Sequence, residues 1–130
     1  MLDADRAQQR QKRFRGFPHA LIDALAAQQA LNVQVAYLDA TPLAAMLFIM
    51  HRPVVTYHLG WTNFEDRQWG QHNRILIDAA ATFADHEYHR VDLETVDTDN
   101  APGLARFKIG SGAQIRGLGG SWLRFGLLRG

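Results

Sequence analysis

Apolar positions recur along this chain with two periods, and the switches between them mark out the elements. Residues 4–15 are polar and weakly amphipathic, compatible with a first helix. From about 18 to 31, Leu21, Ile22, Leu25 and Ala26 recur at the spacing of one buried stripe, which predicts a clearer helix. The period then falls to two. In "NVQVAYL" (32–38), Val33, Val35 and Tyr37 share one face of a strand. "DATP" (39–42) predicts a turn, opened by Asp39 and fixed by Pro42. "LAAMLFIM" (43–50) is apolar on both faces, as a central strand requires. "HRP" (51–53) reverses the chain into "VVTYHLGW". Strict alternation there puts Val55, Tyr57, Leu59 and Trp61 on one face, and Thr56, His58 and Gly60 on the other. The connections are short, so these three strands predict an antiparallel meander.

The helical period returns at 71–87, where Ile75, Leu76, Ala79, Ala80 and Phe83 form a stripe. "RVDLETV" (90–96) predicts a strand with Val91 and Leu93 inward and Asp92 and Glu94 outward. In "TDNAPGLARFK" an Asn or Asp cap and an early proline start a short helix near 101, which Gly110 and Gly112 end. Two last strands, 113–118 and 121–128, are joined by a "GG" turn. The order α-α-β-β-β-α-β-α-β-β predicts an α/β (α+β) domain. Its sheet is mixed but mostly antiparallel, with helices packed on it.

Composition narrows the class. With 130 residues, 47% hydrophobic and 21% charged, the chain reads as a single globular domain, without repeats or linkers. No apolar run approaches the roughly 20 residues of a membrane helix, and the basic N-terminal stretch lacks the apolar segment of a secretory signal. Cysteine is absent, which excludes disulfides and thiolate metal sites and fits a cytoplasmic location. The net charge of +1 hides a segregation. Residues 1–15 hold five basic and two acidic side chains, residues 100–130 five and none, and residues 16–99 four against eleven. Basic ends suit an anionic ligand or partner, or are simply solvated faces.

Candidate chemistry concentrates in two places. Arg67-x-x-Gly70 stands between a strand and a long helix, where a helix N-terminus with a close-approach glycine suits a phosphate. Gln71, His72, Asn73 and Arg74 form the first turn beyond it, and Arg67 and Arg74 add full charges. The same spacing also describes an ordinary strand-to-helix loop. Lys108, one of two lysines in the chain, lies in "APGLARFKIGSGAQ" (101–114). It reads either as an anion contact or as a surface lysine on a short helix that buries Leu104 and Phe107. His86 and His89 in "DHEYH" are spaced by three rather than the four of a zinc helix, so no metal is expected. Trp61, Phe64 and Trp69 are candidate liners of an apolar pocket, or packing residues.

The run "RQWGQH" (67–72) resembles the Arg/Gln-x-x-Gly-x-Gly/Ala loop of the GNAT acyltransferase superfamily, with His72 in place of the last small residue. The segments "PLAAML" (42–47), "YHLGWTN" (57–63), "ILIDAAATFADHEYHRVDLE" (75–94) and "GLARFKIGSGA" (103–113) resemble its FemAB-like branch. The similarity runs from about residue 20 to the end. It implies a GNAT-like fold lacking the first strand, its sheet completed by another copy in a homodimer. It further implies acyl-CoA (acetyl-CoA) as cosubstrate, held by Arg67, Gly70, Gln71, His72, Asn73 and Arg74. Lys108 would be an anion or oxyanion contact near the cleft. His58 and Glu94 are candidate bases that deprotonate an amine, and Trp61, Asn63 and Asp97 are candidate contacts to it.

The function expected from this is transfer of an acyl group from acyl-CoA, or from an aminoacyl-tRNA, onto an amine of a small molecule or peptide. Two other readings compete. One is a non-catalytic module that keeps the fold for ligand binding or dimerisation. The other is nucleic-acid binding through the basic ends, which no recognised motif supports.

Overall fold

A computed structural model describes residues 17–63 and 70–120. Helix α1 spans His19–Ala27, followed by strands β1 (Leu31–Leu38), β2 (Thr41–His51) and β3 (Val54–Thr62). Helix α2 (Gln71–Asp85), strand β4 (Arg90–Asp92) and helix α3 (Pro102–Gly110) complete the described elements. The sheet order is β1-β2-β3-β4. The first two pairings are antiparallel and β3 with β4 is parallel. The sheet is thus mixed and flanked by helices, as the pattern predicts. No helix among the described residues is long and apolar enough to cross a membrane.

The core follows from β2, whose residues 43–49 are buried on both faces. Ala44, Met46 and Phe48 point one way and pack with Val55 and Tyr57 of β3 and Ile75, Leu76, Ala79 and Phe83 of α2. The Phe48 and Phe83 rings meet edge-on at 5.2 Å. Burial of one such side chain contributes about 1.5–3 kcal/mol. Leu43, Ala45, Leu47 and Ile49 point the other way and are buried too, as is Ile22 of α1.

Several expectations change. The first predicted helix (4–15) and last strand (121–128) lie outside the described residues. Helix α1 ends early, where Gln29 turns left-handed at φ 55°, and of its predicted stripe only Ile22 is fully buried. The face shared by Val33, Val35 and Tyr37 is solvent-exposed. Residues 113–118 form no strand. Strand β4 stops at Asp92 because the Asp92 carboxylate accepts the Glu94 amide N–H at 2.8 Å, and Glu94 takes a left-handed φ of 60°. Helix α3 is capped by Ala101 rather than by Asn or Asp, with Pro102 in its first turn.

The largest correction falls on β3. Its register with β2 shifts between Leu47 and Phe48, since Phe48 pairs with Tyr57 and Leu47 with Leu59, leaving His58 as the extra residue of a bulge. The bulge resets the alternation. Beyond it Gly60, opposite Met46, falls on the α2 side with Tyr57, while Leu59 and Trp61 pass to the other face.

Candidate active site

Strands β3 and β4 pair only over Val54–Thr56 and Arg90–Asp92, then part. The Asx turn at Asp92 bends one strand away and the bulge at His58 redirects the other. Around the parting lie His58, Glu94, Tyr57 and Lys108, with Gly60 and His72 packed beside Tyr57.

Lys108 is 4% exposed, which rules out the surface-lysine reading. The buried face of α3 is Ala105 and Lys108, whereas Leu104 is 39% exposed. A buried ammonium needs partners. Its Nζ donates to the Thr95 carbonyl at 2.9 Å and lies 5.8 Å from the Tyr57 ring centroid. Burial lowers its pKa, against the pull of Glu94 and Asp92, whose carboxylates favour the cation. An ammonium has three N–H donors, and Thr95 takes one.

His58 stacks on Phe17 with ring centroids 4.7 Å apart. Its Nδ1 lies 3.6 Å from Glu94 Oε1, the two side chains being 13% and 33% exposed. The carboxylate thus faces the imidazole at ion-pair distance, and the buried Nδ1 makes no hydrogen bond among the described residues. Glu94 acts on both basic groups, beside His58 and raising the pKa of Lys108. Tyr57 remains a neutral phenol, its pKa pushed well up by burial and further by the charge on Glu94.

Above the bulge, contacts are tight. A Cβ added at Gly60 would run into the Tyr57 hydroxyl and the His72 ring, its distance to His72 Nε2 being 2.8 Å. His72 reaches over from the first turn of α2 and meets Phe107 of α3 at 4.6 Å between ring centroids. Phe107 is 6.0 Å from Tyr57. These rings link α2, β3 and α3 beside the parting. Next to them is a groove of about 660 Å³. Leu76 and Ala80 of α2, Val91 and Leu93, and Phe107 give it an apolar lining, with Arg106 also present.

Helix α2 begins at Gly70, which holds φ 64° and whose carbonyl accepts the Asn73 amide at 3.1 Å. A left-handed N-cap is a conformation that suits glycine. The positive end of the α2 dipole is therefore presented there. Gln71, His72 and Asn73 occupy its first turn, and Asn73 also lines the groove. Arg74 is directed along the exposed helix face into an ion pair with Asp78 at 2.9 Å. Arg67 lies outside the described residues, with Phe64 and Trp69.

The residues expected to contact the amine are Trp61, Asn63 and Asp97, on β3, at its end and in the loop before α3. Trp61 pairs with Ala45, on the opposite face of the sheet from Gly60. Asn63 closes the end of β3, its side chain donating to the Pro42 carbonyl at 3.2 Å. The Asp97 carboxylate folds its own loop by accepting from the amides of Asp99 and Asn100 and the Asn100 side chain, and those bonds hold its pKa down. His86 bonds the Thr82 carbonyl, and no cluster of three metal-binding side chains occurs among the described residues.

Sequence reasoning missed Tyr57 and the place of Gly60. The available signal was a glycine inside a strand, which marks a bulge or a close approach.

No protein-family profile matches this chain. No curated protein matches it either. Among solved structures it is similar to one described as "Putative acetyltransferase from Agrobacterium tumefaciens str. C58", with a TM-score of 0.59 and 21% identity. The match covers 82% of this chain and 76% of that one. The fold is thus shared with a protein so described, and its mixed, mostly antiparallel sheet flanked by helices is the architecture the sequence pattern predicts.

Proposed function

We propose that this protein is an N-acyltransferase that takes its acyl group from an acyl-CoA. The observation that carries the reading is the parting of parallel strands β3 and β4, with Lys108, Tyr57 and the His58–Glu94 pair around it. A parting between strands leaves backbone groups for an extended thioester arm to pair with. The groove lined by α2, β4 and α3 offers an apolar surface to the arm, and the glycine-opened end of α2 suits its pyrophosphate. The description of the structural neighbour supports the same class.

In the proposed reaction a neutral amine attacks the thioester carbonyl. The C–N bond forms, the C–S bond breaks, and the leaving thiolate takes up a proton. His58, with the Glu94 carboxylate beside it, accepts the proton the amine loses. Lys108 stabilises the negative charge that develops on the carbonyl oxygen. An aminoacyl-tRNA is the less favoured donor, since the groove is sized for a small ligand. The non-catalytic alternative draws on one observation: Tyr57 and His72 occupy the space over Gly60.

Calorimetric titration with acetyl-CoA and longer acyl-CoAs, followed by a thiol-release assay on a panel of amines, tests the reading. The expected result is binding, with amine-dependent thiol release that Lys108→Met and His58→Ala each diminish. Binding without release would favour the non-catalytic module. Absence of binding by every acyl-CoA would remove the proposal.

A further inference from the structure

The outer edge of β1 is unlike a protected sheet edge. Edge strands in soluble proteins are usually short, charged, interrupted by proline or covered. Strand β1 is eight residues long, "LNVQVAYL", with no charge and no proline. Strand β2 is its sheet neighbour on one side, and no described strand lies on the other. The Met50 amide donates to the Ala30 carbonyl at 2.7 Å. That bond sets the parity of the ladder, so the backbone groups of Asn32, Gln34 and Ala36 face β2. Those of Leu31, Val33 and Val35 therefore point away from the sheet. On the same strand Val33, Val35 and Tyr37 expose 52%, 37% and 61% of their surface.

We infer that β1 pairs antiparallel with β1 of a second copy of this chain, across a two-fold axis at Gln34, to form one continuous sheet. The strand is complementary to itself about that point. Val33 falls opposite the partner's Val35, and each exchanges the outward-pointing N–H and C=O groups just described. The two Gln34 side chains meet in the pair between. No like charges are brought together, which is the usual cost of self-pairing on an edge. The chain's own termini fit this edge less well. Residues 1–16 carry seven charged side chains. Residues 110–113 line the same groove as Val91 of β4, the strand at the other end of the described sheet order from β1. This inference is independent of the acyl-transfer reading.

Sedimentation equilibrium on the full chain, from micromolar to high micromolar concentration, reads the association directly. The expected result is a monomer–dimer equilibrium that the double variant Val33→Lys/Val35→Lys weakens by at least about tenfold. Its melting temperature as a monomer should stay that of the parent chain. The chain has no cysteine, so Gln34→Cys supplies one thiol per copy. At a non-hydrogen-bonded pair the Cα atoms come within about 4.5 Å, close enough for a disulfide, so oxidation should give a covalent dimer. Three results would overturn the inference. They are a monomeric mass throughout, a dimer indifferent to the lysines or to the thiol, and a monomer that the lysines destabilise. The last would mean that part of the same chain covers β1.

Discussion

Lys108 is held at 4% exposure with one hydrogen bond and two nearby carboxylates, and its pKa is still lowered. Burial therefore outweighs the attraction of Glu94 and Asp92, and the charge is a net cost to folding at neutral pH. A purely structural residue at this position would be apolar. Lys108→Met keeps the length and shape of the side chain and removes the charge, at the loss of one hydrogen bond worth about 1 kcal/mol. The variant should melt at the parent temperature or above it, while activity falls. A stability loss above about 2 kcal/mol would make the lysine structural instead. The pH dependence carries a second signature. The unfolded chain binds the Lys108 proton more tightly than the folded one, so the parent protein gains stability as pH rises toward 10.5. That slope should be absent from the variant. Tyr57 acts in the opposite sense, since it stays protonated in the fold while the unfolded phenol ionises near pH 10. It is present in both proteins, so the difference between their melting curves across alkaline pH isolates the lysine.

At the level of elements, the sequence placed all seven described helices and strands but misjudged where strands stop and turn over. Alternation alone does not locate a bulge, so strict period two in "VVTYHLGW" runs through His58 unless the glycine at position 60 is weighed against it. The Asx turn at Asp92 was likewise invisible, because it depends on one carboxylate turning back to the Glu94 amide. His58 and Glu94 were named as separate candidate bases, and only these two irregularities bring them together. Gly60 tests how tightly β3 and α2 are joined. Gly60→Ala places a methyl against the Tyr57 hydroxyl and the His72 ring, so those side chains must move. The expected cost is about 1–3 kcal/mol in chemical denaturation. His72→Ala in the same chain should recover a measurable part of it, because one of the two obstacles is gone. Additive losses in that double-mutant cycle would show that His72 is not packed over Gly60.

Across the whole molecule, burial is uneven along the order of strands, and the dynamics should follow it. Strand β2 is covered on both faces and bonded on both edges, so its amides open only with the global transition. Strand β4 holds three residues in parallel register at the far edge, and its neighbour Glu94 sits in a left-handed conformation. Residues 113–120 are exposed and form no ladder. Amide hydrogen exchange should therefore be slowest in β2, intermediate in β3 and α2, and fast over 113–118. The amides of Leu31, Val33 and Val35 separate the monomer from the dimer. They point outward, so in the isolated chain they should exchange quickly, while those of Asn32, Gln34 and Ala36 are protected. Raising the protein concentration should slow the odd-numbered set and leave the even-numbered set unchanged. Slow exchange of all six at every concentration would mean that the edge is already covered within one chain. An acyl-CoA should instead slow exchange in β3 beyond Thr56 and at the start of α2, independently of β1. Protection by ligand and protection by self-pairing thus fall on opposite edges of the sheet, and one experiment reads both.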